Sequence, residues 1–192
     1  RNMPLSNAEF TVVSVGYLSV CRSAFAYVSD GSNEFDGYEI IAGTRDFDLL
    51  TNSPFNSLRN QAQSFAAHPN ANFVYLSEGI GRRITAYSLD ENDGSLVPLP
   101  DILQTSVNNT NDYSPFYDLI MTGSQGRFLH TWDNDQIESF VIDNDPGSFS
   151  HGALTRVGDI GGEHSSLRSM ALSPTGDLLY TIGVPNIVSG GV

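Results

Sequence analysis

The chain has 192 residues, 40% of them hydrophobic and 16% charged, with 18 glycines and nine prolines. That length suffices for one good-sized domain, and the composition excludes a disordered or low-complexity chain. Twenty-two acidic residues against nine basic ones set a net charge of −13, which repels phosphate backbones and anionic membrane surfaces and excludes nucleic acid as a partner.

In chain order, the first clear strand is Phe25-Ala26-Tyr27-Val28, preceded by an apolar stretch that holds Cys21. As the single cysteine, Cys21 has no internal disulfide partner and is expected to be a buried, inert thiol. An alternating segment follows, Phe35-x-x-Tyr38-x-Ile40, then a polar turn that ends at Phe47. Alternation of period two with aromatic residues predicts strands, not helix. The turn Pro69-Asn70-Ala71-Asn72 leads into Phe73-Val74-Tyr75-Leu76, then Ile84-x-x-Tyr87-x-Leu89, then the acidic turn Asp90–Gly94 and Leu96. Ser124-Gln125-Gly126-Arg127 leads into Phe128-Leu129-His130-Thr131, Ile137-x-x-Phe140-x-Ile142, the acidic turn Asp143–Gly147 and Phe149. Pro174-Thr175-Gly176-Asp177 leads into Leu178-Leu179-Tyr180-Thr181.

These segments are copies of one unit. Its third strand position steps from 27 to 75, to 130 and to 180, and the flanking turns and downstream aromatics keep register with it. A unit of four strands in about 50 residues is the signature of a β-propeller blade. The fold class expected is therefore all-β, a β-propeller with about 3.5 blades in this chain. As a single partial propeller over residues 1–192, the blades fall at about 17–60, 61–114, 115–168 and an incomplete 168–192. A β-sandwich also has short strands at regular spacing, but nothing in it demands the same turn and aromatic in every unit.

The phrases Ser173-Pro174-Thr175-Gly176-Asp177-Leu178-Leu179-Tyr180, Tyr87-Ser88-Leu89-Asp90 with Asp93-Gly94-Ser95-Leu96, and Asn52-Ser53-Pro54-Phe55 resemble the blade consensus of lactonase-type seven-bladed propellers. That family includes propeller 6-phosphogluconolactonases and fungal carboxymuconate cyclases, and the resemblance covers residues 17 to 182. It implies an enzyme that hydrolyses or forms a lactone of a small sugar or carboxylic acid. The alternative is a non-catalytic propeller that engages another polypeptide. Half a ring leaves sheet edges to be covered, so the expected partner is the remaining half of the propeller. It is supplied by the rest of a longer or cleaved protein, or by a second copy.

In a propeller the start of each innermost strand lines the channel mouth. Gapless alignment of the units puts Val15, Gln63, Asp118 and Arg168 there as channel-mouth residues. The resemblance implies a Pro-Arg-His phrase at this place, of which only Arg168 remains, between Leu167 and Ser169. The preceding stretch, Gly161-Gly162-Glu163-His164, adds two groups able to take a proton from water, while Arg168 is able to bind a carboxylate or stabilise an oxyanion. Arg168, His164 and Glu163 are thus the catalytic candidates. The opposing reading makes Glu163 and His164 solvated loop residues and Arg168 a structural tie to Asp118.

No cofactor or metal is expected. Asp90–Gly94 lacks the glycine and glutamate positions of a calcium loop, and His68, His130, His151 and His164 lack zinc-site spacing. His130 stands where other units have tyrosine and is expected to pack, and Trp132 is expected in the blade core or rim. No apolar run reaches the roughly 20 residues of a membrane-spanning helix, which predicts a soluble chain. The compartment stays open between secreted and cytoplasmic, and the sequon at Asn108 matters only in the first case.

Overall fold

The computed structural model describes residues 11–15, 24–41, 46–58, 61–69, 72–78, 83–100, 105–106, 118–121, 126–132, 136–161, 164–173 and 177–185. Cys21, Glu163, the Asn108 sequon and the turn residues 174–176 lie outside them. Sixteen strands and no helix occur among the described residues.

The strands form successive antiparallel meanders. The first sheet runs through β1 (Thr11–Val15), β2 (Ala24–Ser29), β3 (Glu34–Ile40) and β4 (Phe47–Leu49), with β5 (Phe55–Asn56) also on β3. The second runs through β6 (Ala62–Ala67), β7 (Phe73–Glu78) and β8 (Arg83–Leu89), with β9 (Leu96–Pro98) and β10 (Thr105–Ser106) both on β8. The third runs β11 (Asp118–Met121), β12 (Phe128–Trp132), β13 (Gln136–Ile142) and β14 (Leu154–Gly161), and the fourth holds β15 (His164–Leu172) and β16 (Leu179–Pro185). The first strands lie side by side, β6 between β1 and β11 and β11 against β15, as the inner strands of a partial propeller do. The first and last blades begin earlier than residues 17 and 168, because β1 starts at Thr11 and β15 at His164.

The core sits between blades. Tyr27 and Phe35 of the first blade pack on Phe65, Val74, Leu76 and Tyr87 of the second, with Phe35 and Phe65 edge to face at 5.0 Å. Tyr75 and Ala86 of the second pack with Leu129, Phe140 and Ile142 of the third, and Trp132 of the third packs with Leu167 of the fourth. Alternation explains this directly, since one face of β7 meets the preceding blade and the other the next. Trp132 is a core residue of the third seam.

A second contact repeats at the first two seams. The Tyr27 hydroxyl donates to the carbonyl of Gly94 at 2.7 Å, and the Tyr75 hydroxyl donates to that of Gly152 at 2.9 Å. Both glycines have positive φ, 70° and 87°. The aromatic two residues before each tyrosine lies against the same glycine, Phe25 on Gly94 and Phe73 on Gly152. Burial pushes both hydroxyls above the usual tyrosine range, with the Asp93 charge adding to it at Tyr27, so both stay protonated donors.

This geometry corrects one alignment. Gly152, not Gly147, occupies the place of Gly94: its amide donates to Asp143 O at 2.8 Å as that of Gly94 donates to Asp90 O at 2.9 Å. Likewise Leu154 pairs with Ile142 as Leu96 pairs with Leu89, whereas Phe149 is 84% exposed in the turn. The turn of the third blade is longer, and its added residues are braced by Ser148 and Ser150 hydroxyls donating to Asp143 Oδ2 at 2.7 and 2.6 Å.

Candidate functional site

Strand pairing, which the gapless alignment lacked, decides which inner-strand residues are equivalent. Ala62 pairs with Glu78 and Ser64 with Ser77, so Gln63 is the additional residue of a β-bulge. Leu167 pairs with Gly183 and Ser169 with Ile182, so Arg168 is the additional residue of a matching bulge two blades away. Asp118 pairs with Trp132, which places it one position along from Gln63, level with Ser64. Val15 pairs with Ala26 and lies four positions along, because the connection from β1 to β2 is longer than its counterparts. The structure therefore brings Gln63 and Arg168 to one level of the inner ring, sets Asp118 beside that level, and leaves Val15 off it. His164 starts β15, opposite Pro185.

The approach to Gln63 is tightly held. Gln61 has φ of 35°, a left-handed conformation that costs a non-glycine residue on the order of 1–3 kcal/mol and tends to occur at functional sites. Its amide donates to Asn33 Oδ1 at 3.0 Å, the amide of Ala62 donates to Ser32 O at 2.9 Å, and the Ser29 hydroxyl donates to Ala62 O at 2.8 Å. The hairpin between β2 and β3 thus fixes the start of β6. Gln63 itself is half-buried.

Two buried carboxyl groups were not singled out from the sequence. Glu78, opposite Ala62, is fully buried and accepts a hydrogen bond from Thr85 Oγ1 at 2.9 Å. Its charge also helps burial raise the Tyr87 hydroxyl. Glu138 is 1% exposed on β13, opposite Thr131, with Arg156 Nε 3.6 Å from its Oε2. Buried carboxylates are costly unless paired, which makes them candidates for function. The available signal was a glutamate on the inward side of an alternating strand, as in Ile137-Glu138-Ser139-Phe140.

Of the other histidines, His68 and His151 bridge the seam of the second and third blades, and His130 bonds within the third. His68 Nε2 lies 3.0 Å from Gly126 O and 3.1 Å from Asn144 Oδ1, both acceptors, so this nitrogen carries the proton. His130 Nδ1 is 2.8 Å from Ser139 Oγ, and the His151 ring meets Phe73 edge to face at 4.7 Å. An open groove of about 530 Å³ beside Phe73, Ser88, Asn144 and His151 lies on the seam of the second and third blades, away from Gln63. No group of three metal-ligating side chains occurs among the described residues.

Burial holds the His68 and His130 imidazoles below their ordinary value of 6.5. As pH falls through 6.5 the unfolded chain takes up protons before the folded one, so this stability is present above that value and is lost below it. The urea midpoint is expected to fall between about pH 7.5 and pH 5.5, a window above the ordinary carboxylate range. A double variant, His68→Gln with His130→Gln, should flatten that fall, and an unchanged slope would count against it.

No family model matches the sequence, and no curated protein matches it. Solved structures do. A Bacteroides uniformis protein assigned as a 6-phosphogluconolactonase aligns with a TM-score of 0.68 at 16% identity, over 93% of this chain and 49% of that one. The periplasmic gluconolactonase of Pseudomonas aeruginosa aligns at 0.67 and 18% identity, over 90% of this chain and 47% of that one. A Bacteroides fragilis protein, also assigned as a 6-phosphogluconolactonase, aligns at 0.67 and 18% identity, over 91% and 48%. This chain spans about half the length of these structures. With four inner strands side by side and meander blades around them, the chain carries the fold of the lactonase-type β-propellers over about half of a ring.

Proposed function

We propose that this half ring forms part of a lactonase-like site acting on a lactone of a small sugar or carboxylic acid. Arg168 binds the acid group or the developing oxyanion, and His164 or Glu163 takes a proton from the attacking water. The water oxygen bonds to the carbonyl carbon, the ring C–O bond breaks, and the proton returns to the leaving oxygen to give the hydroxy acid. The observation that carries this reading is the shared bulge level of Gln63 and Arg168 on the inner ring. The neighbouring structures, two proteins assigned as 6-phosphogluconolactonases and a periplasmic gluconolactonase, suggest the substrate class.

The test is hydrolysis of glucono-δ-lactone and its 6-phosphate by the protein in its native assembly, followed by acid release with the spontaneous rate subtracted. A saturable enzymatic rate on one of them is expected. Rates indistinguishable from the spontaneous reaction on both would overturn the proposal. A second reading, a propeller that binds another polypeptide without catalysis, is favoured by the exposed apolar side chains of β16, Leu178 just before it and Tyr180 and Ile182 within it.

A further inference from the structure

The turn that joins the last two strands of the third blade runs from Asp143 to Gly152, where its counterpart in the second runs only from Asp90 to Gly94. The longer turn holds Phe149 out in solvent, 84% exposed. The residues on either side of that ring are pinned. The hydroxyls of Ser148 and Ser150 both donate to Asp143 Oδ2, at 2.7 and 2.6 Å. The Ser148 amide donates to Asp145 O at 2.9 Å, and the His151 amide to Ser148 O at 3.2 Å. Beside this turn opens the groove of about 530 Å³, walled by Phe73, Leu89, Pro146 and His151, with the side chains of Asn72 and Asn144 as polar groups. Its size is that of a ligand site. It lies at the other end of the second blade from Gln63, since Phe73 opens β7 and Glu78, which faces Ala62, closes it.

We propose that the groove and Phe149 together bind a basic peptide segment of another protein, a large apolar side chain of the segment lying in the groove and its lysines or arginines facing the acidic turns. Three features argue for this occupant. Phe149 is already positioned, so enclosing it buries apolar area without first ordering a loop. The charged residues of the two turns that adjoin the groove are Asp90, Glu91, Asp93, Asp143 and Asp145, all acidic. Hydrogen bonds from Ser150 and Ser148 hold the Asp143 carboxyl below the usual carboxylate range, so it stays ionised. Arg127 does not offset this field in the groove, because it is turned onto the ring of Phe128, 5.2 Å from its centroid. A cationic partner is drawn in, and anionic membranes and nucleic acid are repelled. The third feature is the pair of side-chain amides, whose donors and acceptors match those of a peptide backbone. Such binding is independent of the lactonase reading.

The test selects phage-displayed random dodecapeptides against the protein in its native assembly at physiological ionic strength, then measures synthetic copies of the selected peptides by fluorescence anisotropy. Peptides with lysine or arginine on both sides of a large apolar residue are expected. Phe149→Ser, a change at an exposed site, should leave Tm unaltered and weaken their binding about 30-fold, the loss of one hot-spot side chain. Alanine in place of the peptide's apolar residue should weaken it to a similar degree. Equal binding by Phe149→Ser overturns the proposal, as does a selection that enriches nothing or enriches peptides without basic residues. Two further measurements separate other occupants. Phe149-dependent binding to phosphatidylcholine vesicles would assign the ring to a membrane, and Phe149-dependent self-association in light scattering would assign it to a second copy; either result overturns the peptide. So does p-benzoylphenylalanine at position 149 that crosslinks to a segment of its own assembly with no peptide added, since the ring would then be covered already.

Discussion

Gly94→Ala is expected to destabilise the protein by about 3 kcal/mol, with a fall in Tm of roughly 6–12 °C for a chain of this size. Two costs combine. A φ of 70° is left-handed and disfavours any residue with a Cβ by about 1 kcal/mol. The new methyl would also meet Phe25 Cδ1 at 2.6 Å and Leu50 Cδ1 at 2.7 Å, and packing of that kind costs about 1–3 kcal/mol. Gly31→Ala separates the two terms, because Gly31 has a φ of 81° with nothing within 4 Å of the added atom. That variant should lose only about 1 kcal/mol. Thermal unfolding of the pair measures the difference, and equal losses would mean that the seam does not confine Gly94.

Arg168→Ala is expected to lower lactone turnover by about 10²- to 10³-fold if the guanidinium stabilises the oxyanion, the effect of removing one such donor. The loss then appears in kcat. If Arg168 instead holds the acid group of the substrate equally in ground and transition states, KM rises and kcat is unchanged. Arg168→Lys should restore only part of the activity, because an ammonium lacks the two-pronged geometry of a guanidinium. Gln63→Ala, at the same ring level, should have the smaller effect because Gln63 carries no charge. Full activity in Arg168→Ala would remove Arg168 from the chemistry and return it to a structural role.

The legibility of this chain was uneven along each blade. Strands that carry the Phe-x-Tyr phrase could be located residue by residue, because alternation is a property of the segment itself: Phe73 to Glu78 forms β7 with every side chain buried. The turns were harder. Asp143–Gly147 imitates Asp90–Gly94 in composition, yet the residue that closes the turn is Gly152, with Ser148 and Ser150 filling the extra length. Gapless alignment spread that error to Phe149. At the inner ring the same weakness moved Val15 by four positions and Asp118 by one. Only pairing across strands reveals where a connection has lengthened.

What the sequence determined by itself was the repeat, the all-β class and the blade phrase, since each depends on residues close in the chain and on the two-residue period of a strand. The tertiary structure alone decided the bulges that level Gln63 with Arg168, and the burial of Glu78 and Glu138. It also decided the tyrosine-to-glycine contacts, which span 67 and 77 residues. The physical reason is that a bulge, a buried carboxylate and a seam contact are set by how one strand or blade lies on the next. Residue type permits these contacts, and register selects which of them form.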